Sequence, residues 1–89
     1  MLIGKVVGSV VSTRKNEKLI GSKFMIVDTY VSNEKIERIV AVDNVGAGIG
    51  EAVLVATGSA ARIGCDQAHA PIDAAIVGII DSGTGITAD

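Results

Sequence analysis

Tryptophan is absent from this 89-residue chain, and phenylalanine, tyrosine, histidine, cysteine and proline occur once each. A single cysteine, Cys65, excludes an internal disulfide. With Phe24 and Tyr30 as the only aromatics, there is no stacking platform for single-stranded nucleic acid. Eight scattered basic residues against ten acidic ones leave a net charge of −2, so neither a nucleic acid nor an anionic membrane surface finds a basic footprint. No apolar run approaches the roughly 18 to 20 residues that cross a bilayer, because Gly, Lys or Ser interrupts each one. The opening "MLIGKVVGSVV" lacks the positive start, long apolar region and cleavage site of a signal peptide. A soluble, cytosolic chain is expected, and 89 residues suffice for one core only.

The apolar content that is present comes from β-branched side chains: Val and Ile together number 24, against three Leu. Such side chains are stiff at χ1 and fit a pleated, half-buried surface, which predicts a mostly β chain. Glycine, with 11 residues, makes the turns that proline does not. Strand-sized segments alternate with turn signals: "LIGKVVGSVVS", "KFMIVDTYV", "ERIVAVD", "EAVLVA" and "AAIVGIID" are separated by "TRKNEK", "SNEK" and a longer connection. Five strands match the count of a small OB-type barrel. In the last connection Ser59 is expected to cap a helical turn over Ala60, Ala61, Arg62 and Ile63, stopped by Gly64. The barrel domain is assigned to residues 1–81 and a small, polar tail to 82–89.

The runs "IVAV" (39–42), "AVLVA" (52–56) and "AAIV" (74–77) are continuously apolar, so both faces of those strands want burial. A small barrel has one interior. The surplus apolar faces predict contacts between subunits.

Candidate chemistry in the sequence is thin. "GAGIGE" supplies Gly46 and Gly48 for the first two positions of a dinucleotide fingerprint, but Glu51 stands at the third and a strand follows, so the phosphate-binding helix N-terminus is missing. Asp43 and Glu51 flank this loop as a conceivable acid and base, against the simpler expectation that a strand-end Asp accepts hydrogen bonds from turn amides. Cys65 and His69, with Asp66 and Asp73 nearby, form a weak metal pattern, and the same Cys and His lack the third group and oxyanion donor of a nucleophilic site.

Taken as long composite motifs, "GKVVGSVVSTRKNEKLIGSKFMIV", "AVDNVGAGIGEAVLVATGSAAR" and "PIDAAIVGIID" resemble the bacterial microcompartment vertex proteins, pentameric shell proteins of carboxysomes and metabolosomes. The resemblance covers nearly the whole chain. It implies an all-β, five-stranded OB-like barrel with a short helical turn, assembled as a cyclic homopentamer that caps the vertices of a polyhedral shell. The implied partners are hexameric shell proteins; no catalytic residue, metal or cofactor is implied, nor any nucleic-acid or membrane partner. On this view Gly46, Ala47, Gly48, Gly50 and Glu51 pack near the symmetry axis, and Asp43, Ser59, Ala60 and Arg62 are interface candidates. The alternative is a small oligomeric barrel that binds a metabolite or metal at its axis or through the Cys65/His69 loop.

Overall fold

The computed structural model describes residues 1–12, 16–32, 35–65 and 72–81. Strands β1 (Leu2–Val10), β2 (Lys23–Ser32), β3 (Lys35–Asp43), β4 (Ala52–Thr57) and β5 (Ala74–Ile80) close into a barrel in the order β1-β2-β3-β5-β4. All neighbours are antiparallel except β3 and β5, which run parallel and meet only at Val42↔Ala75 and Asp43↔Ile76. The ladder between β1 and β2 shifts between Val6 and Gly8, and that between β4 and β5 shifts between Leu54 and Val55. Such bulges bend strands, and bending is what lets so few of them close.

Alternation decides the interior. Val6, Met25, Val27, Ala41, Val53, Val55 and Ile76 form one buried cluster with Ala47 and Ala74, while the residues between them point outward. Each fully buried Val or Ile contributes about 1.5–3 kcal/mol, so this cluster is the main stabilising element. Gly4 sits where two strands press together: a methyl placed on it would stand 2.5 Å from Val27 Cγ1 and 2.9 Å from the Asp28 carbonyl oxygen.

A six-residue helix, α1 (Ser59–Gly64), crosses the outer face and makes a second, smaller core. Ala61 and Cys65 pack there with Val42, Ile72 and Ala75, flanked by Leu19, Phe24 and Val77. The helix corrects one expectation. Ser59 is its first helical residue rather than its cap; Gly58, at φ 64°, occupies the cap position, and no side chain caps the turn. The chain reverses sharply after β4 while the Gly58 amide donates to the Asp73 carbonyl at 2.8 Å, and a positive φ is cheap only for glycine. Gly64 lies inside the helix, and Cys65 takes the position after it.

The second core also explains part of the continuous apolar runs. Val42, Ala56 and Ala75 face outward yet are buried, whereas Val40 is 51% exposed and Leu54 is half-buried.

Candidate functional site

The glycine loop runs from the end of β3 to the start of β4 and is held at both ends by carboxylates. Asp43 Oδ1 accepts the amides of Val45 and Gly46, each at 3.0 Å, which is the turn role expected of a strand-end Asp. Glu51 Oε1 accepts the Gly48 amide at 2.6 Å, and the Glu51 amide donates back to the Gly48 carbonyl at 3.1 Å. Each carboxylate thus bonds loop backbone through one oxygen, while Asp43 Oδ2 is buried without a hydrogen-bond partner among the described residues. Two further bonds, Gly50 N to Val6 O at 2.8 Å and Val6 N to Glu51 O at 3.0 Å, zip the loop's end onto β1.

Glycine is required at two places in this loop by backbone angle: Gly46 has φ 83° and Gly50 has φ 93°. Gly48 is different. Its φ is not positive, and a methyl there would lie 3.2 Å from Glu51 Oε1, so its smallness makes room for the carboxylate of its own chain. Ala47 turns inward and is 2% exposed, plugging the end of the barrel.

Asn44, which the sequence did not single out, joins the loop to the helix: its Nδ2 donates to the Gly64 carbonyl at 2.8 Å. An "Asp-Asn" pair at a strand end signals a turn, but its partner twenty residues on cannot be read locally. Arg62 reaches back as well, donating from one guanidinium nitrogen to the Ile72 carbonyl at 3.0 Å. Ser59 and Ala60 are exposed at the start of the helix. The nine residues singled out thus belong to one region, a glycine loop and a short helix joined at Asn44.

The Cys65/His69 pattern gains nothing. His69 and Asp66 lie outside the described residues, and Asp73 is exposed at the foot of β5. Cys65 is buried, and burial pushes its thiol up, away from the thiolate that a metal or a nucleophilic reaction needs. Among the described residues no three His, Cys, Asp or Glu side chains gather to hold a metal ion. No helix of the described residues is long and apolar enough to cross a membrane.

Comparison with known proteins places this architecture. Residues 1–81 match the family described as ethanolamine utilisation protein EutN/carboxysome. The chain is 49% identical over 86 residues to the bacterial microcompartment shell vertex protein GrpN of Rhodospirillum rubrum, covering 92% of this chain and 94% of that one. It is 48% identical over 84 residues to the carboxysome shell vertex protein CcmL of Synechocystis, covering 92% and 84%. Among solved structures, the GrpN pentameric microcompartment shell protein from Rhodospirillum rubrum superposes with a TM-score of 0.78 at 49% identity, over 92% of this chain and 95% of that one. CcmL of Nostoc superposes with a TM-score of 0.82 at 44% identity, over 91% and 89%. A family match over residues 1–81, together with 49% identity over 92% of the chain, shows that the chain belongs to the EutN/carboxysome family of microcompartment shell vertex proteins.

Proposed function

We infer that the chain is a structural protein, not an enzyme, and that it serves as a vertex subunit in the shell of a bacterial microcompartment, working as a closed ring of five copies. One observation carries this: 49% identity over 92% of the chain to a solved shell protein described as pentameric. The mechanism is geometric. A sheet of six-fold units is flat, and it closes into a polyhedron only where five-fold units replace six-fold ones. The rim of such a ring then meets hexameric shell proteins.

Within the ring, the loop residues Gly46, Ala47, Gly48, Gly50 and Glu51 are assigned to the neighbourhood of the five-fold axis, and Asp43, Ser59, Ala60 and Arg62 to the interface between subunits. Support comes from their surface. The glycines offer bare backbone to an approaching copy, and Ser59 and Ala60 are small and exposed. Asp43, Glu51 and Arg62 act by fixing the loop and helix of their own chain, since each is bonded within it. Ala47 contributes from beneath, as the plug on which the loop rests.

Native mass spectrometry tests the ring: five times the chain mass is expected at micromolar concentration, and monomer or dimer alone refutes it. Gene deletion tests the role. Enzymes of the compartment should stay active in lysate while electron microscopy shows elongated or open shells; normal closed polyhedra with lost lysate activity overturn the structural assignment.

A further inference from the structure

The two ends of the barrel differ. One carries the glycine loop, which joins the end of β3 to the start of β4 and sends Ala47 inward as a plug. The other gathers the start of β1, the end of β4 and the start of β5, where Leu2 lies opposite Val55 and Thr57 opposite Ala74. At that mouth the described residues enclose a cavity of about 500 Å³, lined among others by Leu2, Glu37, Ile39, Thr57, Asp73 and Ala74. Its volume falls in the range of small-molecule sites, and barrel mouths are among the places where such sites occur.

Strand lengths make the cavity. β3 pairs with β2 from Lys35 to Asp43 but meets β5 only at Val42 and Asp43, so the β2–β3 hairpin runs on past the start of β5 and stands as one wall. Alternation puts Glu37 and Ile39 on the same side of β3 as the buried Ala41, towards the mouth. Glu37 lies opposite Thr29, which is fully buried and donates its hydroxyl to the Glu37 carbonyl at 2.9 Å. The facing wall is Leu2, Thr57, Asp73 and Ala74, fixed by the bond from the Gly58 amide to the Asp73 carbonyl at 2.8 Å.

The lining has one sign of charge. It includes two carboxylates, Glu37 and Asp73, and no lysine, arginine or histidine. Asp43 and Glu51 bond loop amides and Asp28 bonds Arg38, whereas the Glu37 and Asp73 carboxylates have no hydrogen bond or ion pair among the described residues. A cleft lined by one sign concentrates the opposite ion. Two carboxylates are too few for a calcium ion, which takes six to eight oxygens, and the apolar Leu2, Ile39 and Ala74 have nothing to offer a bare metal. They suit an ion with a hydrocarbon body. We propose that this mouth binds a small primary alkylammonium ion, its three N–H groups shared among the Glu37 and Asp73 carboxylates and the Thr57 hydroxyl, and its hydrocarbon body on Leu2, Ile39 and Ala74. The site adds to the shell role, needs no ring assignment, and involves neither the glycine loop nor Cys65.

The test is an NMR titration of the full chain, as it assembles, with n-butylammonium chloride at constant ionic strength. The amides of Thr29, Gly58 and Ala74 should shift saturably with a dissociation constant of about 1–10 mM, as befits few atoms held by exposed carboxylates. Butyrate, the same body with the opposite charge, should give no saturable shift, and n-butanol one at least about 10-fold weaker. Glu37→Gln and Asp73→Asn, near-isosteric changes at exposed positions, should each weaken binding about 3-fold and together about 10-fold, with the circular dichroism spectrum unchanged. Glu17→Gln, an exposed carboxylate away from the mouth, should leave binding as it is. The assignment is overturned by a titration that does not saturate by about 100 mM, tenfold beyond the weakest binding expected. Equal responses to butyrate or butanol overturn it too, as do Glu37 and Asp73 variants that bind like wild type or a Glu17→Gln that binds as weakly as they do. Magnesium chloride should not displace the ammonium at equal ionic strength; displacement would mark a metal site instead. The butyrate and butanol comparisons need no variant, so they decide the matter even if a variant fails to fold.

Discussion

Single side chains in the glycine loop do intrachain work that is measurable as stability. Asp43 satisfies two loop amides, so Asp43→Ala should lower unfolding free energy by about 1–3 kcal/mol in a chemical denaturation series at fixed chain concentration. Glycines divide by backbone angle. Gly50→Ala forces a Cβ into φ 93° and should cost about 1–2 kcal/mol, whereas Gly8→Ala, with Ile26 Cδ1 at an ordinary 3.5 Å, should fall within about 0.5 kcal/mol of wild type. Gly4→Ala meets a backbone carbonyl at 2.9 Å as well as Val27, and should cost at least about 1–3 kcal/mol for want of anything that can move aside. Asp28 gives a pH readout. The hydrogen bond from Arg38 holds its carboxyl below the ordinary 3.8, so the pair's contribution is present above that value and lost as pH falls through the lower one. An NMR titration should find the Asp28 midpoint depressed, and Arg38→Met should bring it back towards the ordinary value.

Helix α1 shows how an element too short to stand alone is held. Six residues make less than two turns, far below the length at which isolated helices persist. Its order comes from three attachments: burial of Ala61 and Cys65, the Asn44 bond to the Gly64 carbonyl, and the Arg62 bond to the Ile72 carbonyl. Losing one should loosen the rest. Cys65 reports on this, because burial raises its pKa and hides it, so thiolate is scarce in the native chain at mildly alkaline pH. A disulfide dye should react with it at least about 10-fold more slowly than in the urea-unfolded chain. Arg62→Met, which gives up a bond to a part-buried carbonyl, should narrow that gap by opening the helix more often, without unfolding the barrel.

For the whole molecule, closure of the barrel hangs on the short parallel contact of β3 with β5 at Val42↔Ala75 and Asp43↔Ile76. That seam lies directly beneath α1, so helix, loop and closure form one cooperative unit at one end of the barrel. The family match ends at residue 81, and we propose that residues 1–81 form the complete folding unit and 82–89 a dispensable tail. A chain ending at Asp81 should keep the five-copy mass and a melting temperature within about 2 °C of the full chain, since a polar terminal segment buries little apolar surface. A larger drop would mean that the tail packs on the barrel or on a neighbour.

The sequence alone determined the β class, the five strands to within a residue or two and the turn role of Asp43, because strand alternation, β-branched content and glycine turns are local signals; the family was legible only through the resemblance of its long composite motifs. Tertiary structure decided where the outward residues of the apolar runs go. Ala75 and Val42 are covered because α1 crosses back over a seam joining strands more than thirty residues apart, and no local pattern encodes that crossing. It also decided that Gly58 rather than Ser59 takes the cap, that Ala47 plugs the barrel, and that Glu51 is spent on the Gly48 amide. Each of these depends on a partner brought close by chain reversal or barrel closure. Continuous apolar runs announced more burial than one barrel interior provides; only the closed barrel shows that a helix uses part of the surplus, and that Tyr30, Ile36 and Val40 stay in the open.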